Sequence, residues 1–444
     1  MNVYVIIGSG AAGVSAAQAI RQQDSAGRIW LLSEERAGYY SRPGLAYVLT
    51  GELPERSLFP FSESDFRRLG VQLLHARVVR IDPAWHRITL ADGKTLAYDR
   101  LLIATGAAAR RASLPGEDLD GVVKLDNLAD ARRILKLCRR GRRAVVVGGG
   151  ITALELVEGL LARGMSVAYL LRGDRYWHNV LDETESHIVE HRLTEEGVRL
   201  YYRTEIAEIL GSRGHVTAIR TQDGRTLPCD LLAVAVGVQP RLELASAAGL
   251  HVERGVRVDE FMQTSQPDIF AAGDVAEVFD PLNGRYVLHT LWGQARQEGH
   301  AAGLNMAGVS TPYCSGIAFN VTRLAGLTTT LIGALGRGDD VDLVGVARGD
   351  SETWRQLPDA IAAENHFEIN RLRLLLGETT LLGAVVMGDQ TLSQPLQRLI
   401  AANADITPIR QRLLQPGARL GDLIVSFYEH WMKEYAQSAA PRPT

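Results

Sequence analysis

Cysteine is scarce in this chain of 444 residues, and the three that occur, Cys138, Cys229 and Cys314, lie far apart and outside any C-x-x-C spacing. This scarcity excludes a disulfide framework and a cysteine metal cluster, and it suits a reducing compartment. The eleven histidines show no metal-ligand spacing such as H-E-x-x-H. We therefore expect a cytoplasmic protein without a metal site.

Long apolar runs and an excess of charge of one sign are missing as well. No run approaches the roughly 18–20 apolar residues that a membrane-spanning helix needs. The first predicted strand begins at Val3, which leaves no room for a signal peptide. The formal net charge is only -3, so the whole protein has no electrostatic reason to bind nucleic acid or an anionic membrane. We expect no membrane span and no nucleic-acid partner.

The sequence predicts two strand–helix–strand units, about 140 residues apart. A chain of this length suits about three domains, and two such units predict two separate nucleotide-binding domains. The segments are Val3 to Ile7, Ala11 to Gln22 and Ile29 to Leu32 in the first unit, and Ala144 to Val147, Thr152 to Arg163 and Val167 to Leu171 in the second. Between them, Val78 to Ile81 and Arg87 to Leu90 predict an antiparallel hairpin.

The first unit carries a dinucleotide fingerprint, Gly8-Ser9-Gly10-Ala11-Ala12-Gly13. Gly8 permits a tight turn, Gly10 lets the backbone approach a pyrophosphate, and Gly13 lets the helix pack closely on the strand. The diphosphate would lie at the helix N-terminus, where unpaired N–H groups favour an anion. Glu34 follows at the spacing of a ribose acceptor. The competing interpretation is a glycine-rich turn in an unrelated α/β protein.

Further motifs occur downstream: Ala104-Thr105-Gly106, and Thr264-x-x-Pro267-x-Ile269-Phe270-Ala271-Ala272-Gly273-Asp274. With them the chain, from residue 1 to about 310, resembles the FAD-dependent pyridine nucleotide-disulfide oxidoreductase superfamily. The resemblance implies that Asp274 holds the FAD ribitol and that the helix beginning near Ala295 points at the flavin O2. The segments Ser33-Glu34-Glu35 and Tyr39-Tyr40-Ser41-Arg42-Pro43 are similar to those of rubredoxin reductases, the flavin half of nitrite reductases and apoptosis-inducing factor.

That subgroup implies a set of FAD contacts in this sequence. Arg42 could equally be a surface arginine on a loop. The FAD-binding positions expected from the fingerprint and the resemblance are Gly8, Gly10, Ala12, Gly13, Glu34, Glu35, Arg42, the backbone of Val78, Ala104, Thr105, Gly106, Arg110, Gly273, Asp274 and Ala295.

Pro43 stands where related disulfide reductases place a redox cysteine, and none of the three cysteines lies nearby in sequence. A thiolate relay needs a reactive sulfur against the flavin, so we expect electrons to leave the flavin directly. Glu155 matches the family glutamate that faces flavin and nicotinamide, although a solvated helix glutamate is the alternative. Tyr47 occupies the position at which some relatives carry a lysine partner of that glutamate. Glu155 and Tyr47 are the candidate catalytic residues.

The second unit predicts a nicotinamide site that prefers NADPH, with NADH possible. Leu171 occupies the position of the acid that commonly bonds the ribose 2′-OH of NAD. Arg172 and Arg175 follow, and an arginine can hold a 2′-phosphate. Two exposed loop arginines are the alternative. The predicted contacts are Gly148, Gly150, Ala153, Arg172, Arg175 and Gly237.

The predicted fold is α/β, with two Rossmann-like, glutathione-reductase-type nucleotide-binding domains and a C-terminal α+β domain. We expect an FAD-binding domain from segments 1–112 and 239–310, an NAD(P)-binding domain at 113–238 and an interface domain at 311–444. The α+β character of the last rests on alternating segments such as Leu372 to Leu376 and Thr380 to Val386.

The expected function is hydride transfer from NADPH to FAD, followed by electron transfer to a rubredoxin- or ferredoxin-like protein or a partner reductase subunit. The alternatives are an NAD(P)H oxidase or quinone reductase, and a redox-sensing flavoprotein with slow turnover. A basic run from Arg132 to Arg143 is either a solvated helix face or a docking surface for a small acidic electron-transfer protein. An apolar face on a helix beginning near Leu420 indicates packing within the last domain or in a homodimer.

Overall fold

The computed structural model describes residues 1–280, 284–335, 344–349 and 370–439. The strands are β1 Val3–Ile7, β2 Arg28–Ser33, β3 Val71–His75, β4 Val78–Asp82, β5 Arg87–Leu90, β6 Thr95–Ala97, β7 Arg100–Ile103, β8 Ala107–Ala109, β9 Val122–Val123, β10 Arg143–Val147, β11 Ser166–Leu170, β12 Arg199–Tyr201, β13 Ile206–Ser212, β14 His215–Thr221, β15 Thr226–Pro228, β16 Leu231–Val234, β17 Val238–Pro240, β18 Val256–Val258, β19 Ile269–Ala271, β20 Ala276–Asp280, β21 Arg285–Leu288, β22 Phe319–Leu324, β23 Leu327–Gly333, β24 Val344–Gly349, β25 Arg371–Leu376 and β26 Leu381–Met387.

The helices are α1 Ala11–Gln23, α2 Gly44–Thr50, α3 Glu63–Arg68, α4 Leu128–Leu137, α5 Ile151–Ala162, α6 Glu183–Glu195, α7 Glu243–Ala247, α8 Trp292–Met306, α9 Ser393–Ala401, α10 Thr407–Leu413 and α11 Leu420–Ala439, with a short 3-10 helix at Glu55–Leu58. Two compact units result. One comprises residues 1–148, 155–168 and 206–315, and the other comprises residues 149–154, 169–205 and 316–444.

A five-stranded parallel sheet in the order β19-β7-β1-β2-β3 forms the centre of the first unit. Strand β1 is rich in β-branched residues and almost wholly buried, as expected for a strand covered on both faces. The strands β10, β16 and β9 also pair in parallel, and β10, α5 and β11 repeat the order of β1, α1 and β2 along the chain. This arrangement confirms the α/β class and the two Rossmann-like motifs.

The close packing of α1 on α8 depends on small residues. A Cβ added at Gly299 would lie 2.1 Å from the carbonyl oxygen of Ala12, and one at Gly303 would lie 2.5 Å from that of Ala16. Both distances are too short for any side chain, so the two helix backbones can approach this closely only because α8 carries glycine at both positions.

Most of the remaining strand pairs are antiparallel. Strands β4 and β5 pair antiparallel, which confirms the predicted hairpin. In the second unit, β22-β23-β26-β25-β24 form an antiparallel sheet. Apolar side chains of β25, β26, α9, α10 and α11 build a separate core there. The α+β prediction for the C-terminal part is therefore confirmed, whereas the exact domain boundaries stay a prediction.

A buried charge cluster joins α6 to β25 within the second unit. Arg373, only 4% exposed, donates from Nε to Glu185 at 2.9 Å and from Nη2 to the carbonyl oxygen of Val180 at 2.8 Å. Arg371 pairs with Asp182 at 2.6 Å. Glu185 is 0% exposed, and burial raises its pKa although Arg373 opposes that effect. Each buried charge here thus depends on its partner.

We predict that Arg373→Met strongly destabilises the protein, because it leaves the Glu185 carboxylate buried without its main partner. The expected loss is about 3–5 kcal/mol in the free energy of unfolding, measured by denaturant titration. The exposed Arg412→Met is the control and should change the same quantity by less than about 0.5 kcal/mol. Equal effects of the two substitutions would contradict the dependence on this ion pair.

Candidate functional site

The first glycine turn has two glycines fixed by packing and one that faces open space. Gly8 has a φ of +118°, and a Cβ there would lie 2.1 Å from the carbonyl oxygen of Ala104. A Cβ at Gly13 would lie 1.9 Å from the carbonyl oxygen of Gly8, but at Gly10 it would meet nothing within 4 Å. The turn therefore presents bare backbone at Gly10, which suits the close approach of a ligand.

The N-terminus of α1 begins at this open position. Gly10 is the N-cap residue and has no side-chain hydrogen bond to the helix, so the first N–H groups of α1 lack a side-chain cap. Ala12 is buried, and any ligand contact of this residue would come from its backbone. Uncapped N–H groups beside a side-chain-free turn fit a diphosphate, which makes these residues compatible with FAD.

Glu34, which the fingerprint predicts as a ribose acceptor, and Val78, whose backbone the resemblance implies as an FAD contact, lie at the end of β2 and the start of β4. Glu34 directly follows β2, is exposed, and lies 4.0 Å from Arg77 Nε. Val78 has a buried side chain and begins β4, so only its backbone is offered. An exposed carboxylate at the carboxyl end of β2 can accept hydrogen bonds from ribose hydroxyls.

Glu35 and Arg42 belong to one network. The Tyr40 hydroxyl donates to Glu35 at 2.7 Å and accepts from the Leu128 N–H at 3.0 Å. Arg42 pairs with Glu35 and donates to the carbonyl oxygen of Asp126. Arg42 is therefore not a solitary surface arginine. Tyr40 and Asp126 were not predicted, and the 84 residues between Arg42 and Asp126 leave no spacing signal for such a contact.

Arg241 connects the same network to the Ala-Thr-Gly turn. It donates to the carbonyl oxygen of Thr105 at 3.1 Å and to the Asp126 carboxylate at 3.2 Å, and its own N–H donates to the Gly106 carbonyl oxygen at 3.0 Å. This residue belongs to none of the recognised sequence motifs, so only the fold reveals it.

Arg110 and Gly237 lie on either side of a two-stranded contact between β8 and β17. The Arg110 N–H donates to the Gly237 carbonyl oxygen at 2.9 Å, and its Nε donates to that of Val238 at 3.1 Å. Gly237 has a φ of +103°, which favours glycine. The exposed Arg110 guanidinium is thus held at a crossing between the two chain segments.

Several motifs converge at Gly273 and Asp274. A Cβ at Gly273, where φ is +78°, would lie 3.0 Å from the Cβ of Ala12 and 3.6 Å from that of Ala295. Burial raises the pKa of Asp274, and the positive charge of Arg42 opposes that rise. The fold therefore brings together the first fingerprint, the Arg42 segment, the Gly-Asp motif and α8.

Glu155 lies half-buried on α5. Burial, with a smaller contribution from the negative charge of Glu158, raises its pKa to about 8. The exposed Tyr47 lies on α2, which packs on α5 one turn away: a Cβ at Gly159 would lie 2.8 Å from the Cβ of Leu49. The two candidate catalytic residues therefore lie on helices that contact each other.

Arg163, the residue after α5, connects this helix to α2 through hydrogen bonds. It donates to the carbonyl oxygens of Leu49 at 2.7 Å and Val48 at 2.9 Å. Since the last carbonyls of a helix have no partner within it, these two bonds stabilise the C-terminus of α2 and fix the helix that carries Tyr47.

The second glycine turn and the loop after β11 carry the predicted nicotinamide contacts. Gly148 has a φ of +144°. A Cβ at Gly150 would meet nothing within 4 Å, and Ala153 is fully buried. Leu171 is 1% exposed, whereas Arg172 is exposed and has no hydrogen bond or ion pair with any residue that the structure describes. Arg175 lies 3.6 Å from Asp174.

The thiols are poorly suited to redox chemistry. Pro43 occupies the N-cap position of α2. Burial raises the pKa of Cys138, and burial together with Asp230 raises the pKa of Cys229 to about 12. Cys314 is exposed. Two of the three cysteines thus disfavour the thiolate form that a relay requires.

Four arginines of the basic run pair with neighbouring acids. Arg132 pairs with Glu55, Arg133 pairs with Asp120, and both Arg142 and Arg143 pair with Asp230. This pairing favours the solvated-face interpretation of the run. Among residues 1–280, 284–335, 344–349 and 370–439, no helix has the length and apolar character to cross a bilayer. The same residues contain no cluster of metal-ligating side chains.

The open turn leads to a prediction that separates binding from folding. Gly10→Ala should leave the melting temperature within about 2 °C, because φ there is -78° and a Cβ meets no protein atom. It should nevertheless weaken FAD binding at least about tenfold by crowding the diphosphate. Gly13→Ala, which inserts a Cβ against the Gly8 carbonyl, should instead lower the melting temperature. Tight FAD binding by folded Gly10→Ala would show that the cofactor does not approach this turn.

Comparison with known proteins agrees with this geometry. Residues 2–299 match the family model described as pyridine nucleotide-disulphide oxidoreductase. The chain is 33% identical over 333 residues to rubredoxin-NAD(+) reductase of Pseudomonas putida, which covers 74% of this chain and 86% of the relative. It is 36% identical over 361 residues to the biphenyl dioxygenase system ferredoxin–NAD(+) reductase component of Paraburkholderia xenovorans, covering 80% and 86% of the two chains.

A solved structure is similar over almost the whole length. The reductase chain of the covalent putidaredoxin reductase–putidaredoxin complex superposes with a TM-score of 0.83 at 27% identity, covering 96% of this chain and 98% of that one. These findings confirm the resemblance inferred from the motifs. The chain belongs to the pyridine nucleotide-disulphide oxidoreductase family and is an FAD-dependent, nicotinamide-dependent oxidoreductase.

Proposed function

We propose that the protein takes a hydride from NADPH and delivers the electrons to a small iron–sulfur or rubredoxin-type carrier protein, with no thiol in between. The observation that carries this proposal is that the chain combines a side-chain-free glycine turn at Gly10 with Pro43 at the position of the redox cysteine. The relatives named above are rubredoxin and ferredoxin reductases, and the chain spans most of their length, which supports a protein acceptor.

The residues of the first unit fit FAD by the chemistry of their donors and acceptors. In this proposal, the α1 N-terminus and Gly10 bind the diphosphate, Glu34 accepts from the ribose, Arg42 adds positive charge, and Asp274 accepts from a ribitol hydroxyl. FAD, when bound, supplies the chemistry that accepts a hydride and releases single electrons. The domain assignment proposed with it is 1–112 and 239–310 for FAD, 113–238 for the nicotinamide nucleotide and 311–444 as the interface domain.

Glu155 has a specific part in this proposal. With a pKa of about 8, its carboxyl group is mostly protonated at neutral pH. It then adds no negative charge and can donate a hydrogen bond through its O–H. We assign to Glu155 the role of holding one proton beside the nicotinamide. Tyr47, on the neighbouring helix α2, would line the same site.

Direct electron transfer is tested by blocking the accessible thiols. Iodoacetamide treatment, under conditions that mass spectrometry shows to modify the accessible cysteines, should leave NADPH-dependent reduction of a [2Fe–2S] ferredoxin or of rubredoxin within about twofold of the mock-treated protein. Loss of activity in proportion to modification of one cysteine, with the fold intact, would contradict the mechanism. Oxygen consumption as fast without a carrier as with one would favour an NAD(P)H oxidase instead.

The preference for NADPH rests on Arg172. Its exposed guanidinium has no partner among the described residues, and so it is available for a 2′-phosphate. Leu171, at the usual position of the ribose-binding acid, is buried and cannot repel that phosphate. The relatives named above are NAD(+) enzymes, so a preference for NADPH would distinguish this chain from them.

We predict that Arg172→Met lowers kcat/KM for NADPH about ten- to a hundredfold and leaves that for NADH nearly unchanged, because only NADPH carries the phosphate. The loss should appear in KM, since this contact is remote from the hydride. Steady-state kinetics at fixed acceptor measure both values, and Arg213→Met, another exposed arginine, is the control. A higher wild-type kcat/KM with NADH would refute the assignment of Arg172.

A further inference from the structure

A fully buried carboxylate lies behind the Gly-Asp motif. Glu298 on α8 is 0% exposed, and both of its oxygens accept hydrogen bonds. Oε2 accepts from the Gly273 N–H at 2.8 Å, and Oε1 lies 2.9 Å from Nδ1 of His289. A buried carboxylate is costly unless it is paired and hydrogen-bonded, and here each oxygen has one partner.

His289 links this carboxylate to the surface. Its side chain is 18% exposed, and Nε2 lies 3.3 Å from the hydroxyl of Ser315. A carboxylate only accepts hydrogen bonds, so Nδ1 must carry the proton while Glu298 is ionised. His289 thereby both donates to Glu298 and, when protonated, neutralises it.

The hydrogen bond from Gly273 to Glu298 matters because Gly273 directly precedes Asp274. Its φ of +78° puts the turn in a conformation that a side chain would disfavour. The bond from its N–H to Glu298 fixes the Ala272–Gly273 peptide, one residue before Asp274. Burial raises the pKa of Glu298, His289 and the Gly273 N–H oppose that rise, and the negative charge of Asp274 adds to it. The groups that face Glu298 are therefore His289, Asp274 and the hydroxyl of Tyr313.

We propose that Glu298, held by His289, is a positioning residue for the flavin: it anchors Gly273 so that Asp274 is presented to the cofactor. The inference rests on the proposed function in one respect, the assignment of Asp274 to FAD. It assigns to Glu298 and His289 a role in cofactor affinity, which neither the fingerprint nor the motifs indicate.

The direct test is titration of apoprotein with FAD, followed by flavin fluorescence, with folding checked by circular dichroism. Glu298→Ala removes the acceptor of a buried N–H and should weaken FAD binding about tenfold or more. Glu298→Gln keeps an amide oxygen for Gly273 and an NH2 group for a neutral His289, and should stay within about threefold of wild type. His300→Gln, at an exposed histidine two residues further on the same helix, is the matched control and should change nothing.

A pH profile separates positioning from simple packing. In His289→Phe the carboxylate loses its donor, so its pKa rises further. FAD affinity should then rise as the pH is lowered and Glu298 takes up a proton, because the protonated carboxyl group carries no unpaired buried charge and keeps an oxygen for the Gly273 N–H. The double variant His289→Phe/Glu298→Gln has no charge to neutralise and should regain affinity with that pH dependence removed. Asp274 is present in every variant, so its contribution to the pH dependence of FAD affinity cancels when the variants are compared.

Unchanged FAD affinity in folded Glu298→Ala would overturn the proposal. It would also be overturned if Glu298→Gln bound FAD as poorly as Glu298→Ala, or if the double variant showed no recovery over His289→Phe. Should Glu298→Ala fail to fold, the pH profiles of His289→Phe and of the double variant decide. Wild-type apoprotein that binds no FAD would instead refute the proposed function itself.

Discussion

Close approach of backbone to backbone, at positions where no side chain fits, is the constraint on which the candidate site depends. Gly8 meets Ala104, Gly13 meets Gly8, and Gly299 meets Ala12, each at distances that exclude a Cβ. These contacts place the end of β1, the end of β7 and the helices α1 and α8 around one point. Gly10, which meets no protein atom, is left as the side-chain-free position open to a ligand.

Burial raises the pKa of three carboxyl groups that are proposed for the site in the first unit: Glu155, Asp274 and Glu298. The charged neighbours of the three groups differ. Asp274 lies in the field of Arg42, Glu298 is bonded to His289, and Glu155 has another acid, Glu158, as its charged neighbour. A group without a cation stays protonated more readily, so the same residue type can serve as proton holder, ligand acceptor and anchor.

In the second unit, carboxylates are likewise held by their charged neighbours, here two arginines. Arg371 and Arg373 on β25 meet Asp182 and Glu185 at the beginning of α6. Arg373 also holds the carbonyl oxygen of Val180, at the end of the loop that begins with Arg172. The antiparallel C-terminal sheet therefore supports the loop that carries Arg172, although nearly 200 residues separate the partners in the chain.

The sequence by itself determined the elements whose signal is local. Hydrophobic strands, glycine spacing and helix starts are set by neighbouring residues, so the two Rossmann-like motifs, the hairpin of β4 and β5, the tight turn at Gly8, the close packing at Gly13, and the family could be predicted. Tyr40, Asp126, Arg241, His289 and Glu298 could not. Their partners lie up to 136 residues away, and an isolated arginine, histidine or glutamate carries no sign of what it will meet. Only the tertiary structure decided these contacts, because burial and electrostatic pairing arise when distant segments pack together.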